Sequence, residues 1–197
     1  MNPWDQKFKE EKFIYGTEPN RFLKEQVSVL KEVTSIACYA EGEGRNAVFL
    51  AQKGKQVTAF DYSKEGLQKT LKLAAANDVH VETQLTDLIE DELELNQFDG
   101  AVMIFGHFSK QHQYEVLDKI IASIKSGGVF LLEVYEDGQL NYETGGPRSL
   151  DYLYNEQQLA DWANNFERLH FYSGEVERIE GIGHTGVCKV LELIIKK

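Results

Sequence analysis

Short apolar runs alternate with helically spaced apolar positions through most of the chain. The apolar runs predict five strands, at residues 33–39, 56–60, 79–85, 98–105 and 129–135. The helically spaced positions predict helices at residues 18–31, 45–53, 63–77, 111–124 and 155–164. This alternation is typical of a parallel β-sheet that carries helices on both faces.

The pattern changes near the end of the chain. Residues 170–179 and 187–195 alternate in strand fashion, and the glycine-rich segment that joins them leaves no room for a helix. Two strands joined in this way pair antiparallel. We therefore expect a single α/β domain over residues 1–197, with a doubly wound, seven-stranded, mostly parallel sheet that ends in a C-terminal antiparallel hairpin.

Composition narrows the class of protein. With 32 acidic against 21 basic side chains, the net charge is −11 and no basic cluster stands out, so no nucleic-acid partner is expected. The two cysteines are too few for a disulfide framework or a zinc site, and no metal is expected. No run approaches the roughly 18 apolar residues of a membrane span, and the first residues lack a signal-peptide pattern. We expect a cytoplasmic protein without membrane contact, either a monomer or a homodimer.

The first predicted strand leads into a turn of small residues, Ala-Glu-Gly-Glu-Gly-Arg-Asn at 40–46. Gly42 and Gly44 lack a Cβ atom, so we expect the backbone to take unusual dihedrals and to let a ligand come close. The helix that follows is expected to present its unpaired N–H groups to that ligand. Asp61 ends the next apolar run. A glycine turn followed by such an acid indicates a nucleotide-type cofactor at the carboxyl edge of the sheet.

Other polar residues follow the remaining strands at the same predicted edge. The Asp61 carboxylate can accept hydrogen bonds from ribose hydroxyls, or it can cap a helix. Asp87 can accept from an exocyclic amine beside Leu88, or it can cap the next segment. His107 follows the fourth strand and can contact a ligand or bond the backbone of a turn. The residues alone leave these alternatives open.

The whole chain resembles the Rossmann-like S-adenosylmethionine-dependent methyltransferases, especially the small tellurite-resistance-type and thiopurine-type enzymes. Its most specific segments are Glu-Gly-Glu-Gly-Arg-Asn at 41–46 and Val-Thr-Ala-Phe-Asp-Tyr-Ser at 57–63. The glycine pair at 127–128 resembles the turn before the family's fifth strand, and residues 15–20 resemble the leader that covers the cofactor. The resemblance implies a Rossmann-like fold and S-adenosyl-L-methionine as the cofactor.

The resemblance also implies roles for single residues. Ala40, Gly42 and Gly44 would line the methionine and ribose end, Asp61 would hold the ribose, and Asp87 with Leu88 would hold the adenine. The complete implied cofactor set is Tyr15, Ala40, Glu41, Gly42, Gly44, Arg45, Asn46, Asp61, Tyr62, Ser63, Asp87, Leu88, Phe105 and His107. The chain departs from the family at Cys38, where an acid is usual, and at Ala40, where a glycine is usual. Glu41 is a partial substitute for that acid.

Residues 1–31, called the leader below, and the loop 136–154 are expected to close over the site as lids. The residues expected to meet the substrate or to form the lids are Trp4, Tyr135, Tyr142, Arg148 and His184. Methyl transfer is a direct in-line displacement, so catalysis is expected to rest mainly on proximity, with His107 as the candidate proton acceptor. We expect a small-molecule acceptor. The alternatives are methylation of a macromolecule, a cofactor-binding protein without turnover, and a nicotinamide enzyme, whose third fingerprint glycine would here be an alanine.

Overall fold

Seven strands form one sheet in the computed structural model, which describes residues 2–181 and 184–197. The strands are β1 (Ser35–Tyr39), β2 (Gln56–Asp61), β3 (Glu82–Leu85), β4 (Phe98–Ile104), β5 (Ile124–Tyr135), β6 (Glu167–Glu180) and β7 (His184–Lys196). Their order across the sheet is β3-β2-β1-β4-β5-β7-β6. The first five strands are parallel, and β7 pairs antiparallel with both β5 and β6. The predicted Rossmann-like sheet with its closing hairpin is confirmed.

Helices cover both faces of this sheet. They are α1 (Pro3–Phe8), α2 (Arg21–Gln26), α3 (Arg45–Gln52), α4 (Lys64–Ala76), α5 (Gln113–Ser123) and α6 (Glu156–Ala163). The apolar side chains of α2, α3 and α4 pack with one face of the sheet, and those of α5 and α6 pack with the other. None of the helices in the described part of the chain is long and apolar enough to cross a membrane.

Several predicted boundaries were wrong. The helix expected at 18–31 begins only at Arg21, after its N-cap Asn20, and changes to a 3-10 turn at Val27–Leu30. The third strand begins at Glu82 rather than at 79, because the backbone N–H of Val79 bonds to the carbonyl of Ala74 in the last turn of α4. The fifth strand begins earlier than expected, at Ile124.

Two segments in which no helix was expected contain short helices. In the leader, α1 is capped by Asn2, whose side chain accepts a hydrogen bond from the N–H of Asp5. The loop 136–154 contains two 3-10 helices, Asp137–Asn141 and Leu150–Tyr152. The hairpin strands β6 and β7 are also longer than the segments predicted at 170–179 and 187–195.

Candidate active site

The glycine turn after β1 uses left-handed backbone at three residues, Ala40 (φ 51°), Gly42 (φ 65°) and Gly44 (φ 92°). A side chain at either glycine would collide with another part of the protein. A Cβ on Gly44 would lie 2.7 Å from Thr70 of α4, and one on Gly42 would lie 3.1 Å from the Phe8 ring. Glycine is therefore required for the close approach of α4 and the leader, rather than for the approach of a ligand from that side.

Contrary to expectation, two N–H groups at the start of α3 are not free for a ligand, because they donate to the Glu41 side chain. One oxygen of its carboxylate accepts hydrogen bonds from the backbone N–H groups of Asn46 (2.9 Å) and Ala47 (2.8 Å). Acidic side chains stabilise this end of a helix because the helix dipole is positive there. Burial raises the pKa of Glu41 to about 7, against the lowering effect of these bonds and of Arg45.

Asp61 joins the second strand to the glycine turn. Its carboxylate is buried and accepts from the N–H of Gly42 (2.8 Å) and from the N–H of Ser63 (2.8 Å). Burial raises its pKa to about 6, although both bonds favour the charged form. Ser63 in turn caps α4 by accepting from the N–H of Gly66 (3.1 Å), whereas the Tyr62 side chain is exposed.

The leader is held against the glycine turn by the Glu43 carboxylate. One oxygen accepts from the N–H groups of Ile14 (2.9 Å) and Tyr15 (3.3 Å), and the other pairs with the Lys69 ammonium at 2.7 Å. Lys69 also donates to the carbonyl of Lys12 (2.8 Å). Glu43 and Lys69 are both buried, so this ion pair is shielded from water.

A second contact fixes the start of the leader at α4. The Asp5 carboxylate accepts from the Ser63 hydroxyl (2.8 Å) and from the N–H of Glu65 (3.3 Å). Trp4 stacks on Phe8, with ring centroids 5.4 Å apart, and Phe8 itself is buried. The expected lid residue Trp4 therefore lies in the part of the leader that covers the glycine turn and α4.

Asp87 and Leu88 follow β3, as expected, but the structure gives both a local role. The Asp87 carboxylate accepts from the N–H of Ile89 (3.0 Å), and Leu88 is buried in the core. Of the two alternatives for Asp87, capping is the one that these contacts support. The neighbouring Thr86 hydroxyl is buried and has no hydrogen-bond partner within the described residues.

Aromatic rings meet at the carboxyl ends of β4 and β5. Tyr135 stacks on Phe105 (4.5 Å between centroids) and on the His107 ring (5.4 Å), and Tyr154 packs edge-on against His107 at 6.0 Å. The Nδ1 atom of His107 lies 2.8 Å from the Tyr152 carbonyl, so Nδ1 carries the proton and donates it. Burial lowers the pKa of His107 to about 4, which keeps the ring neutral at neutral pH.

The remaining expected lid residues lie farther out on the loop and hairpin. Tyr142 donates to the Glu175 carboxylate, and the exposed Arg148 guanidinium donates to the Tyr142 carbonyl (2.9 Å). These bonds hold the loop 136–154 to itself and to β6. His184 begins β7, but its side chain lies outside the described part of the structure.

A buried polar network at the same edge of the sheet was not predicted from the sequence. Arg178 contacts Glu133 and Glu180 (3.0 Å), and Arg45 contacts Glu180 at 2.7 Å. Asn20 donates to both carboxylates. All five side chains are buried. The one sequence signal was a charged residue inside an apolar run, Glu133 within Val129–Tyr135, and it does not reveal its partners.

The chain is similar to known methyltransferase structures and to one protein-family model. Residues 36–128 match a family model described as "Methyltransferase domain". A solved structure described as "Conversion of a Disulfide Bond into a Thioacetal Group during Echinomycin Biosynthesis" aligns with a TM-score of 0.77 at 12% identity, over 98% of this chain and 90% of that chain. TehB from Haemophilus influenzae aligns with a TM-score of 0.70 at 18% identity, over 88% of this chain and 62% of that chain.

A third structure is the N-methyltransferase NodS from Bradyrhizobium japonicum in complex with S-adenosyl-L-homocysteine. It aligns with a TM-score of 0.71 at 12% identity, over 98% of this chain and 96% of that chain. No curated protein sequence matches the chain. At these identities the solved structures show the fold. The chain therefore has the Rossmann-like methyltransferase fold, and the match of residues 36–128 to a methyltransferase domain supports a methyltransferase enzyme.

Proposed function

We propose that the protein uses S-adenosyl-L-methionine and transfers its methyl group to a small molecule by direct in-line displacement. The observation that carries this proposal is the meeting of the glycine turn, Asp61 and the Phe105–Tyr135 rings at one edge of the sheet. This edge lies at the carboxyl ends of the strands, where the strand order reverses between β1 and β4. Open α/β sheets bind ligands at such a point. The alignment with TehB is in keeping with the small tellurite-resistance-type group.

The residues present fit the proposed cofactor. A carboxylate offers about four acceptor positions, so Asp61 can still accept from ribose hydroxyls beyond its two backbone bonds. The buried Thr86 hydroxyl, which lacks a partner in the described chain, is a polar group available to the adenine ring beside Asp87. The half-buried Phe105 ring, next to Gly106 at the glycine turn, would add apolar surface that excludes water from the sulfonium.

The proposed chemistry depends on placement. The cofactor supplies an electrophilic methyl group on a sulfonium, and no covalent bond to the protein is needed. The task of the protein is to hold the acceptor in line with that methyl group, and such placement can supply a large part of a rate acceleration. The leader and the loop 136–154 would exclude water as lids, with Glu43 and Asp5 holding the leader in its closed position.

The state of His107 bears on the class of acceptor. A ring with a pKa of about 4 accepts a proton poorly at neutral pH, so it is a weak general base there. Acceptors that need little proton removal, such as thiols and chalcogen oxyanions, suit this site better than hydroxyls or protonated amines. We propose that the acceptor belongs to this soft class.

Calorimetric titration with S-adenosylmethionine and with NAD tests the cofactor. We expect the first to bind and the second not to bind. Asp61→Ala should weaken binding of S-adenosylmethionine by about 1–3 kcal/mol, because hydrogen-bond partners lose their acceptor. Asp99→Ala is the matched control, since Asp99 also accepts a backbone N–H, that of Ser35 (2.9 Å), but near the start of β4, at the amino ends of the strands. Equal losses in the two variants would contradict the role of Asp61.

Formation of S-adenosylhomocysteine across a panel of thiols, chalcogen oxyanions, phenols and small amines tests turnover. One observation favours a binder without turnover as a second candidate, since the strand-one position that usually holds an acid is here the fully buried Cys38. Tight cofactor binding without product from any acceptor would favour that candidate. Product formed only with protein substrates would instead favour a macromolecular acceptor.

A further inference from the structure

Phe105 is held in a conformation that a bulky residue rarely adopts. Its φ angle is 58°, in the left-handed region, immediately after the end of β4. Such backbone costs free energy and persists only where its surroundings enforce it, often at functional sites. Here the N–H of Phe105 donates to the Glu133 carbonyl at 2.8 Å, which holds the backbone against β5.

The Phe105 ring is held on two sides. The Tyr135 ring stacks on it at 4.5 Å with an interplanar angle of 19°. The Arg178 guanidinium carbon lies 4.8 Å from the ring centroid. A guanidinium at this distance from a ring is attracted by its quadrupole, and more strongly where water is excluded.

Arg178 is itself fixed by acids. Both terminal nitrogens of its guanidinium contact the Glu133 carboxylate, Nη1 also contacts Glu180 at 3.0 Å, and Nε lies 3.4 Å from the Cys188 sulfur. Arg178 is 4% exposed and Glu133 is 0% exposed. A buried ion pair often stabilises a fold no more than apolar residues of the same volume would, so we look for a further role of this pair.

Glu133 thus holds both parts of Phe105. Its carbonyl accepts from the Phe105 backbone, and its carboxylate fixes the guanidinium that lies beside the Phe105 ring. The next residue, Gly106, packs against the glycine turn, because a Cβ there would lie 3.2 Å from the Ala40 Cβ. The backbone that carries the fixed ring therefore lies directly beside the turn of the proposed cofactor site.

We propose that Arg178 is a positioning residue that acts through Phe105. It would fix the aromatic wall of the methyl-transfer site, which is formed by the stacked rings of Phe105 and Tyr135. This inference rests on the proposed function, because the wall has a role only if the cofactor binds beside it. It assigns a role to two residues, Arg178 and Glu133, that lie outside the cofactor and lid sets predicted from the sequence.

A double-mutant cycle in S-adenosylmethionine binding tests the inference. We expect Phe105→Leu and Arg178→Met each to weaken binding by roughly three- to tenfold, the range of a shielded cation–π contact. If Arg178 acts through the ring, the double variant binds no more weakly than Phe105→Leu alone. If the two losses multiply, Arg178 acts independently of Phe105 and the inference is wrong. Thermal unfolding of each variant separates loss of stability from loss of binding, and a purely structural role would not produce coupling in the binding constant.

Two further variants keep the test decisive. Arg178→Lys retains the charge but loses the fork that Glu133 holds, and it replaces Arg178→Met in the cycle if that variant does not fold. Arg168→Met is the matched control, because Arg168 lies on the same strand, exposed, with its guanidinium 5.5 Å from the Phe171 ring. We expect it to leave binding unchanged. If the unaltered protein does not bind S-adenosylmethionine, the proposed function fails. If it binds and the cycle shows no coupling, only the role of Arg178 fails.

Discussion

At the scale of single residues, burial decides the chemistry of His107. The pKa of His107 is 6.5 in the unfolded chain, and burial lowers it to about 4 in the folded protein. A base whose folded pKa is lowered contributes stability that is fully present above pH 6.5 and is lost as the pH falls toward 4.

This sign leads to a pH-dependent prediction. Between about pH 7.5 and about pH 5, the protein should lose roughly 1–2 kcal/mol more stability than His107→Gln, in which no group titrates at that place. Urea unfolding of both proteins at the two pH values gives the difference, in which the contributions of all other groups cancel. An equal loss in the two proteins would show that His107 is solvated in the folded state.

Gly44 leads to a second prediction at this scale. Alanine there would place a Cβ 2.7 Å from Thr70 and would also sit in left-handed backbone, so Gly44→Ala should cost about 2–4 kcal/mol. Gly54→Ala is the matched control, since Gly54 has φ 79° but open space around its Cβ position. It should cost only about 1 kcal/mol. Urea unfolding measures both, and similar losses would mean that α4 moves away without cost.

At the scale of elements, the Glu43 carboxylate of the glycine turn accepts two hydrogen bonds from the leader. Glu43→Gln removes the charge that pairs with Lys69 and weakens acceptance from Ile14 and Tyr15, so the leader should open more often. Trypsin should then cleave at Lys7, Lys9 and Lys12 several-fold faster, because cleavage follows the open population. Glu32→Gln, which alters an exposed ion pair with Lys31, is the control. Unchanged cleavage in Glu43→Gln would show that other contacts keep the leader closed.

The sequence predicted best those strands and helices whose apolar residues recur most regularly. The strands of the sheet centre were found because each contains a short apolar run, residues 101–104 in β4 and residues 129–132 in β5. The helix α1 was missed because it has only six residues and a single i,i+4 pair of apolar side chains, Trp4 and Phe8, and what identifies it is a cap and its contacts with α4. The N-terminus of α3 was misjudged because the contact between the Glu41 carboxylate and the helix depends on the backbone path of the turn.

At the scale of the whole molecule, the sheet brings together residues that are distant in the chain. Glu133 and Arg178 are 45 positions apart and meet only because β7 lies between β5 and β6 and places the end of β6 beside that of β5. A single sequence does not contain this pairing. The glycine turn and Asp61 could be predicted because each follows its own strand, and their meeting requires only that the two strands be adjacent and parallel.

The two cysteines report on the integrity of the whole sheet. Cys38 on β1 and Cys188 on β7 are buried on opposite sides of β4 and β5. We expect a thiol reagent to label neither in the native protein, and both to become reactive together as urea unfolds it. Cys188→Ser and Cys38→Ser assign the signals. Faster labelling of Cys188 alone would show that the hairpin opens separately from the parallel strands.

The Glu41 carboxylate at the start of α3 has a consequence for cofactor choice. In many α/β proteins this helix end attracts the pyrophosphate of a dinucleotide. Here two of its N–H groups already hold a carboxylate, and a pyrophosphate would bring its negative charges against that carboxylate. S-adenosylmethionine contains no phosphate and carries a positive sulfonium. We therefore expect the turn to disfavour phosphorylated cofactors by charge repulsion when the Glu41 carboxyl is ionised, which happens to a growing extent as the pH rises through about 7.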